Sequence, residues 1–383
     1  MSFKPSHLIF ALIVSPLLFV SCKGGGEPVT PPSAVFDTVA VEVDTVPRTS
    51  VTFILGEDHS AYNQYYTMAN HYYRLNPDER TETVVDNLTS LRQVIEWLNA
   101  HPDTLNHRPY GLINLVSHGN EFIDLQATVT PRGDRISASS LHKALRKKKL
   151  PVLDSGIVDS ATLVYLHGCA VGQNQPLLDA LAEAFGGEAI VKASKLFEYY
   201  AYLSANHNPR SIRHYFARTW YAFYNPDSAA DEQTLVRQLR RSYPADKVDW
   251  RSGLRRRFQN NPSELYHYSF IVPCRYSEYY ANPADKPSVS SAQKRQQWVD
   301  SHRDFRALLD STRIPRRFFQ IKFYRLTSVT DDDQILIGLE ARARAGVVCL
   351  IQPLVAPDTL TGPYAPFVPA PDDSTIFAFS KRI

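Results

Sequence analysis

A histidine and a cysteine stand where this sequence could place a base beside a nucleophile. His118 follows the apolar run LINLV and one serine, and Cys169 follows the run LVYLH and one glycine. A thiol attacks an acyl carbon efficiently when an imidazole that is near it in space, though not in sequence, takes its proton. The pair therefore predicts acyl-transfer chemistry if the fold brings the two side chains together.

The segments in front of both residues have the composition of buried strands. β-branched and apolar residues dominate four such segments, and patterns typical of helices alternate with them. This alternation predicts an α/β fold with a mostly parallel sheet. Because ligands bind at the carboxyl edge of such a sheet, we expect His118 and Cys169 at that edge. The predicted strands are Val51–Leu55, Gly111–Val116, Ala161–Leu166 and Ala189–Ala193.

Two tripeptides carry a resemblance to a known group of enzymes. Ser-His-Gly at 117–119 and His-Gly-Cys at 167–169 place the cysteine 169 − 118 = 51 positions after the histidine. They resemble the caspase–gingipain–legumain clan of cysteine peptidases, including its bacterial CHAT-type members, in which a His-Gly pair follows one core strand and the cysteine follows the next. The resemblance covers about residues 50–200. Caspases carry Gln-Ala before the cysteine, so no substrate preference follows for this chain.

The resemblance implies a caspase-like three-layer sandwich and a cysteine endopeptidase that acts on proteins or peptides. His118 and Cys169 would form its catalytic dyad. The backbone amides of Gly119 and Cys169 would form the oxyanion hole, which stabilises the charge that develops on the attacked carbonyl oxygen. An acyl-enzyme would form on Cys169, and water would then hydrolyse it. No cofactor is implied.

Two further residues keep other roles open. His167 lies two residues before Cys169 and faces the same way if the strand geometry persists, so it could be an alternative base or a wall of the substrate pocket. Asp58 follows the first predicted strand and could line that pocket, or serve only as a turn residue. A second function also stays open, namely a catalytically inactive caspase-fold lipoprotein that binds peptide or glycan through a Tyr-rich surface.

Composition narrows the expected partners. The 383 residues are 44% hydrophobic and 21% charged, which is typical of a globular protein rather than a disordered one. A net charge of +3 gives no overall field for nucleic acid, and no Cys/His group has zinc-finger spacing, so neither nucleic acid nor a metal is predicted. Cys169 is expected to be exposed and reactive, whereas Cys274 and Cys349 are expected to be buried thiols or a disulfide.

The first residues are typical of a targeting segment. A lysine precedes the apolar stretch Leu8–Val20, which is too short to span a membrane comfortably. Phe19–Cys22 then resembles a bacterial lipobox, which predicts a signal peptide over residues 1–21 and a lipid on Cys22. The alternative is a plain cleaved signal peptide. We expect a bacterial cell-envelope protein that this lipid tethers to a membrane.

The rest of the chain is predicted to have three parts. A tether and entry segment covers residues 22–50, a caspase-like peptidase domain covers residues 51–283, and a small β-rich domain covers residues 292–383. A stretch rich in proline and serine joins the last two. Within the peptidase domain, residues 212–223 are predicted to be helical.

Overall fold

The computed structural model describes residues 48–59, 64–75, 83–102, 108–202, 208–228, 230–257, 264–329, 335–358 and 362–381. All of them belong to one compact unit, Val46–Ile383. The predicted signal peptide and the lipidation site Cys22 lie outside the described residues, as does most of the tether.

The described residues contain both helices and strands. The strands are β1 (Ser50–Ile54), β2 (Thr83–Val85), β3 (Leu112–Val116), β4 (Gly119–Asn120), β5 (Asp124–Leu125), β6 (Leu163–His167), β7 (Ile190–Ser194), β8 (Phe197–Tyr202), β9 (Ile212–Tyr224), β10 (Tyr266–Tyr280), β11 (Gln320–Val329), β12 (Ile335–Pro353), β13 (Val355–Asp358), β14 (Gly362–Pro366) and β15 (Phe377–Phe379). The helices are α1 (Tyr65–Leu75), α2 (Leu91–Ala100), α3 (Ala138–Arg146), α4 (Gln175–Ala184), α5 (Glu232–Ser242), α6 (Trp250–Arg255), α7 (Ala292–Ser301) and α8 (Arg303–Ser311). In this described part, no helix has both the length and the apolar character needed to cross a membrane.

The first sheet has the strand order β15-β7-β6-β3-β1-β2. Its strands run parallel except β15, which pairs antiparallel with β7. All four strands predicted from apolar runs are present, as β1, β3, β6 and β7. The prediction of an α/β fold with a mostly parallel sheet is therefore confirmed.

Both faces of the first sheet are covered, because its strands carry apolar side chains in both directions. On one face, side chains such as Phe53 and Leu115 pack with the apolar stripes of α2, α3 and α4 in the largest core cluster. On the other face, Ile54 and Val116 pack with the tyrosines of α1 and with Tyr200 of β8. A strand buried on both sides reads as a continuous apolar run, as these strands do.

The second sheet is antiparallel and has the order β10-β12-β9-β8, with β11 also paired to β12. Strand β12 lies between β9 and β10, so residues predicted to form a separate C-terminal domain share a sheet with β8, β9 and β10. The last strand, β15, completes the edge of the first sheet. The prediction of a helix over residues 212–223 is wrong, because these residues form strand β9.

Cys274 and Cys349 are free, buried thiols. They lie on the neighbouring strands β10 and β12, but Cys274 pairs with Ala343 and Cys349 pairs with Tyr268. The six positions between Ala343 and Cys349 correspond to about 20 Å along a strand. A disulfide needs Cα atoms within about 7 Å. The disulfide alternative is therefore excluded, and the buried-thiol alternative is confirmed.

Candidate functional site

The register of β3 and β6 brings the two predicted catalytic residues to the same edge of the first sheet. Every pair along this ladder is offset by 51 positions, up to Val116 opposite His167. One further bond, from the Ser117 N–H to the His167 carbonyl oxygen (3.0 Å), continues it. The paired positions end at Val116 and His167, two residues before His118 and two residues before Cys169, which are separated by the same 51 positions. Both residues therefore follow the carboxyl ends of neighbouring parallel strands, and their catalytic roles stay predictions.

The backbone after His118 turns at once into the β4–β5 hairpin. Gly119 pairs with Leu125 there. A Cβ atom on Gly119 would come within 2.5 Å of the carbonyl oxygen of Asp124, which is closer than real Cβ contacts. Gly119 is therefore needed for the close approach of two backbones. Its oxyanion role stays a prediction.

Cys169 is buried rather than exposed, contrary to the prediction. Its side chain is 7% accessible, and the thiol donates a hydrogen bond to the carbonyl oxygen of Glu198 (Sγ···O 3.3 Å). Burial raises the pKa of this thiol to about 12, so the thiol form dominates. The next residue, Ala170, has the left-handed conformation (φ 55°), which turns the chain towards helix α4.

The imidazole of His118 is held between two tyrosines of helix α1. It stacks on Tyr65 (ring centroids 4.6 Å apart) and meets the edge of Tyr66 (4.7 Å). The backbone N–H of His118 also donates to the Tyr66 hydroxyl oxygen (2.9 Å). Burial lowers the pKa of His118 to about 4, against the opposing charge of Asp58. At neutral pH the ring is therefore uncharged, which is the form that can accept a proton.

Tyr65 connects the two turns. Its ring lies against His118, and its hydroxyl donates to the carbonyl oxygen of His167 (3.3 Å), two residues before Cys169. Burial raises the pKa of Tyr65 well above its ordinary value, and the nearby Cys169 and Glu198 add to that shift. Tyr65 therefore stays protonated and acts as a donor. The tyrosines between residues 65 and 73 were only a general signal for this contact.

Asp58 has a structural role at the start of α1. Its two carboxylate oxygens accept hydrogen bonds from the N–H groups of Tyr66 (3.1 Å) and Thr67 (2.8 Å). These N–H groups have no partner inside a helix, so an acidic side chain there stabilises the helix start. This capping fixes the position of the tyrosines that contact His118. The pocket role of Asp58 stays a prediction.

His167 is 2% exposed and faces the interior between the two sheets. Its Nε2 lies 2.9 Å from the Tyr73 hydroxyl and 3.2 Å from Asn114 Oδ1, and its Nδ1 lies 3.3 Å from Glu198 Oε2. The Cys169 thiol also contacts Glu198, so the side chains of His167 and Cys169 both point towards strand β8. This is the orientation predicted from the alternation of side chains along a strand. A base or pocket role for His167 stays a prediction, and its ring is enclosed in this structure.

Glu198 and His214 are the residues of this region that sequence reasoning missed. Glu198 is fully buried, and its Oε2 lies 3.5 Å from His214 Nε2. Tyr200 pairs with His214 in the β8–β9 ladder, which makes Glu198 and His214 diagonal neighbours on one face. A single carboxylate inside the aromatic run FEYYAY was the available signal.

Two surface cavities lie against the second sheet instead. One, of about 330 Å³, is lined by residues that include Tyr224, Glu232 and His267, and the other, of about 310 Å³, lies beside Arg256. Neither wall includes a candidate site residue among those that the structure describes. Of the two candidate catalytic residues, Cys169 is buried and His118 is partly exposed.

Glu121, close to the predicted base, gives a prediction on stability. Burial raises the pKa of Glu121 to about 7, although a hydrogen bond from the Tyr221 hydroxyl and the charge of Arg313 oppose the shift. The folded chain therefore keeps a proton that the unfolded chain releases near pH 4.5. The stabilisation that this proton gives to the folded state is complete below about pH 4.5 and is lost as the pH rises through about 7.

Glu121→Gln should therefore gain stability over the wild type at high pH. We expect a gain of about 1–3 kcal/mol at pH 8 relative to pH 5, because the amide needs no proton. Urea unfolding at the two pH values measures it. Glu183→Gln, at an exposed position, is the control and should show no such change. Equal pH dependence of Glu121→Gln and wild type would contradict the assignment.

Comparison with known proteins identifies no relative, since no family model, no curated protein and no solved structure matches this chain. The resemblance to the caspase clan therefore stays a prediction from the residues at 117–119 and 167–169.

Proposed function

We propose that this chain is a cysteine endopeptidase in which Cys169 is the nucleophile and His118 is the base. The observation that carries the proposal is the shared 51-position offset of the β3–β6 ladder and of the two residues. A thiol and an uncharged imidazole thus follow the ends of two neighbouring strands, at the sheet edge where ligands bind in α/β folds. The caspase-like assignment is part of the same proposal.

The chemistry requires the Cys169 side chain to leave the Glu198 carbonyl and turn towards His118. The imidazole then takes the thiol proton while sulfur bonds to the peptide carbonyl carbon. The amide C–N bond breaks, and the amine leaves with the proton from His118. Water, deprotonated by the same ring, hydrolyses the thioester and releases the acid. The N–H groups of Gly119 and Cys169 are proposed as donors to the transient oxyanion.

A thiol-reactive peptidyl probe tests the proposal directly. In the wild type, the probe should label Cys169 in preference to the buried thiols Cys274 and Cys349. His118→Ala should slow this labelling by roughly 10²–10⁴-fold, because the general base is gone. His142→Ala is the matched control, since this histidine is on the surface, and its labelling rate should equal that of the wild type.

Labelling that is absent from the wild type, or equally fast in His118→Ala, would contradict the proposal. The burial of Cys169 and the raised pKa of its thiol favour the second candidate, a binding lipoprotein of the same fold that lacks catalysis. Failure of the probe, together with binding of peptide or glycan by the same preparation, would establish that candidate instead.

The proposed location is the cell envelope, with a lipid on Cys22. Acyl chains contribute about 0.8 kcal/mol for each buried methylene, so two or more chains on one residue anchor a protein stably. Cys22→Ala should therefore move the chain from the membrane fraction to the soluble fraction or block its processing. Fractionation followed by mass spectrometry of the N-terminal peptide measures both. A fully soluble wild type with an unmodified Cys22 would contradict the anchor.

A further inference from the structure

Two histidines and a glutamate converge where the end of β6 meets strands β8 and β9. One side-chain atom each of His167, Glu198 and His214 lies within 4.8 Å of the other two. The side chains of His167 and Glu198 are 2% and 0% exposed, and that of His214 is 11% exposed. Among the described residues, His167 Nδ1, Glu198 Oε2 and His214 Nε2 have no hydrogen-bond partner. Buried polar atoms without partners are rare in folded proteins, so their convergence here requires a physical cause.

Among the described residues, His167 has hydrogen-bond partners at one ring nitrogen only. Nε2 lies 2.9 Å from the Tyr73 hydroxyl and 3.2 Å from Asn114 Oδ1, whereas Nδ1 faces the Glu198 carboxylate at 3.3 Å. When the ring hydrogen lies on Nε2, Nδ1 presents a lone pair to that carboxylate. A cation between the two groups would then satisfy both.

We propose that a divalent transition-metal cation binds His167 Nδ1, Glu198 Oε2 and His214 Nε2. Zinc bonds to nitrogen and oxygen at about 2.0–2.2 Å, which sets tetrahedral ligands about 3.4 Å apart. The glutamate oxygen lies 3.3 Å from one nitrogen and 3.5 Å from the other. The nitrogens lie within 4.8 Å of each other, so they need to close by at most about 1.4 Å.

The three side chains of His167, Glu198 and His214 are called the trio below. The groups around the trio are arranged like the outer partners of metal ligands. Metal-binding histidines commonly donate their other N–H to a fixed acceptor, and the ligating carboxylates are themselves hydrogen-bonded. His167 has Asn114 and Tyr73 in this position, and Glu198 Oε1 accepts from the Tyr165 hydroxyl (3.0 Å). Three protein ligands leave a fourth position for water or another ligand.

The Glu198 carboxylate is fully buried, and a buried carboxylate needs a neighbouring positive charge, which a bound divalent cation would supply. Two arrangements without a metal could also balance the buried charge. One is a proton shared between His167 and Glu198, and the other is compensation by Lys192, whose Nζ lies over the rings of Phe377 (3.7 Å) and Tyr165 (4.9 Å).

Metal binding by the full chain distinguishes a bound cation from these two arrangements. After chelator treatment, equilibrium dialysis against Zn²⁺ should load one ion per chain, and Co²⁺ should give the visible absorption bands of a tetrahedral nitrogen–oxygen site. Mg²⁺, which prefers six oxygen ligands, should not compete. His214→Asn and Glu198→Gln should each weaken zinc binding more than about 100-fold, since even loss of an outer partner costs 10–100-fold.

The control variants test whether the ion binds at the trio. His142→Asn alters a surface His–Glu pair with a nitrogen–oxygen distance of 3.7 Å and should bind zinc as the wild type does. Cys169→Ala should also keep the ion, whereas its loss there would put zinc on the proposed catalytic pair and overturn the site. Zinc retained by both His214→Asn and Glu198→Gln would show an adventitious ion only. Circular dichroism without metal checks that each variant is folded. A wild type that binds neither Zn²⁺ nor Co²⁺ overturns the proposal whatever the variants do.

Discussion

Replacing Cys169 with alanine is expected to lower peptide hydrolysis by roughly 10³-fold or more, because the atom that forms the acyl-enzyme is removed. Cys169→Ser should be nearly as poor, since a hydroxyl is far less ionised than a thiol at the same place. The double variant with His118→Ala should be little worse than either single one, because the two residues act as a unit. Turnover of a diverse peptide library by the purified chain measures all three.

Cys274→Ala is the matched control for this experiment. Cys274 is also a free, buried thiol, but it lies on β10 of the second sheet and has no histidine proposed as its base. Its removal should leave hydrolysis unchanged. Equal loss in Cys169→Ala and Cys274→Ala would indicate a general effect on folding, and undiminished hydrolysis in Cys169→Ala would exclude this nucleophile.

Glu198→Ala is expected to destabilise the metal-free chain by about 3–5 kcal/mol, which is the usual effect of removing one member of a buried charged group. The Tyr165 hydroxyl loses its acceptor, and the rings of His167 and His214 face an empty space. Leaving buried donors without acceptors costs more than the net value of the bonds themselves. Urea unfolding in the presence of a chelator gives the free energy of unfolding.

Glu183→Ala controls for the loss of a glutamate near a histidine. Glu183 lies 3.7 Å from His142, but both side chains are about half exposed. Exposed pairs of this kind contribute about 0–1 kcal/mol. Comparable destabilisation by Glu183→Ala and Glu198→Ala would show that burial of the trio has no special effect on stability.

Four strands of the first sheet, β1, β3, β6 and β7, could be predicted because each is short, apolar on both faces and ends at a small polar turn. Strand β9 could not. Its even-numbered residues, such as Trp220 and Ala222, pack with α5 and α6, while odd-numbered ones, such as Tyr215 and Ala217, enter another cluster. With both faces apolar, the period of two disappears, and the pattern was mistaken for a helix.

The candidate site was predictable in part for the same reason. His118 and Cys169 follow recognisable strands. The parallel pairing of those strands places both turns at one edge of the sheet. The burial of Cys169 depends on Glu198, and the trio with His214 depends on the β8–β9 pairing. Those contacts arise between two sheets whose packing leaves no local trace in the sequence, so neither could be derived from composition or spacing.

The position of β12 sets the order in which this protein can fold during synthesis. Strand β10 pairs with β12 over fifteen positions and β9 pairs with it over eight, yet β12 is made more than fifty residues after β10 ends. Until residue 353 has left the ribosome, both earlier strands keep an open hydrogen-bonding edge that can pair with other chains. The side chain of His214 on β9 therefore lies on a sheet that is completed only after residue 353 has been made.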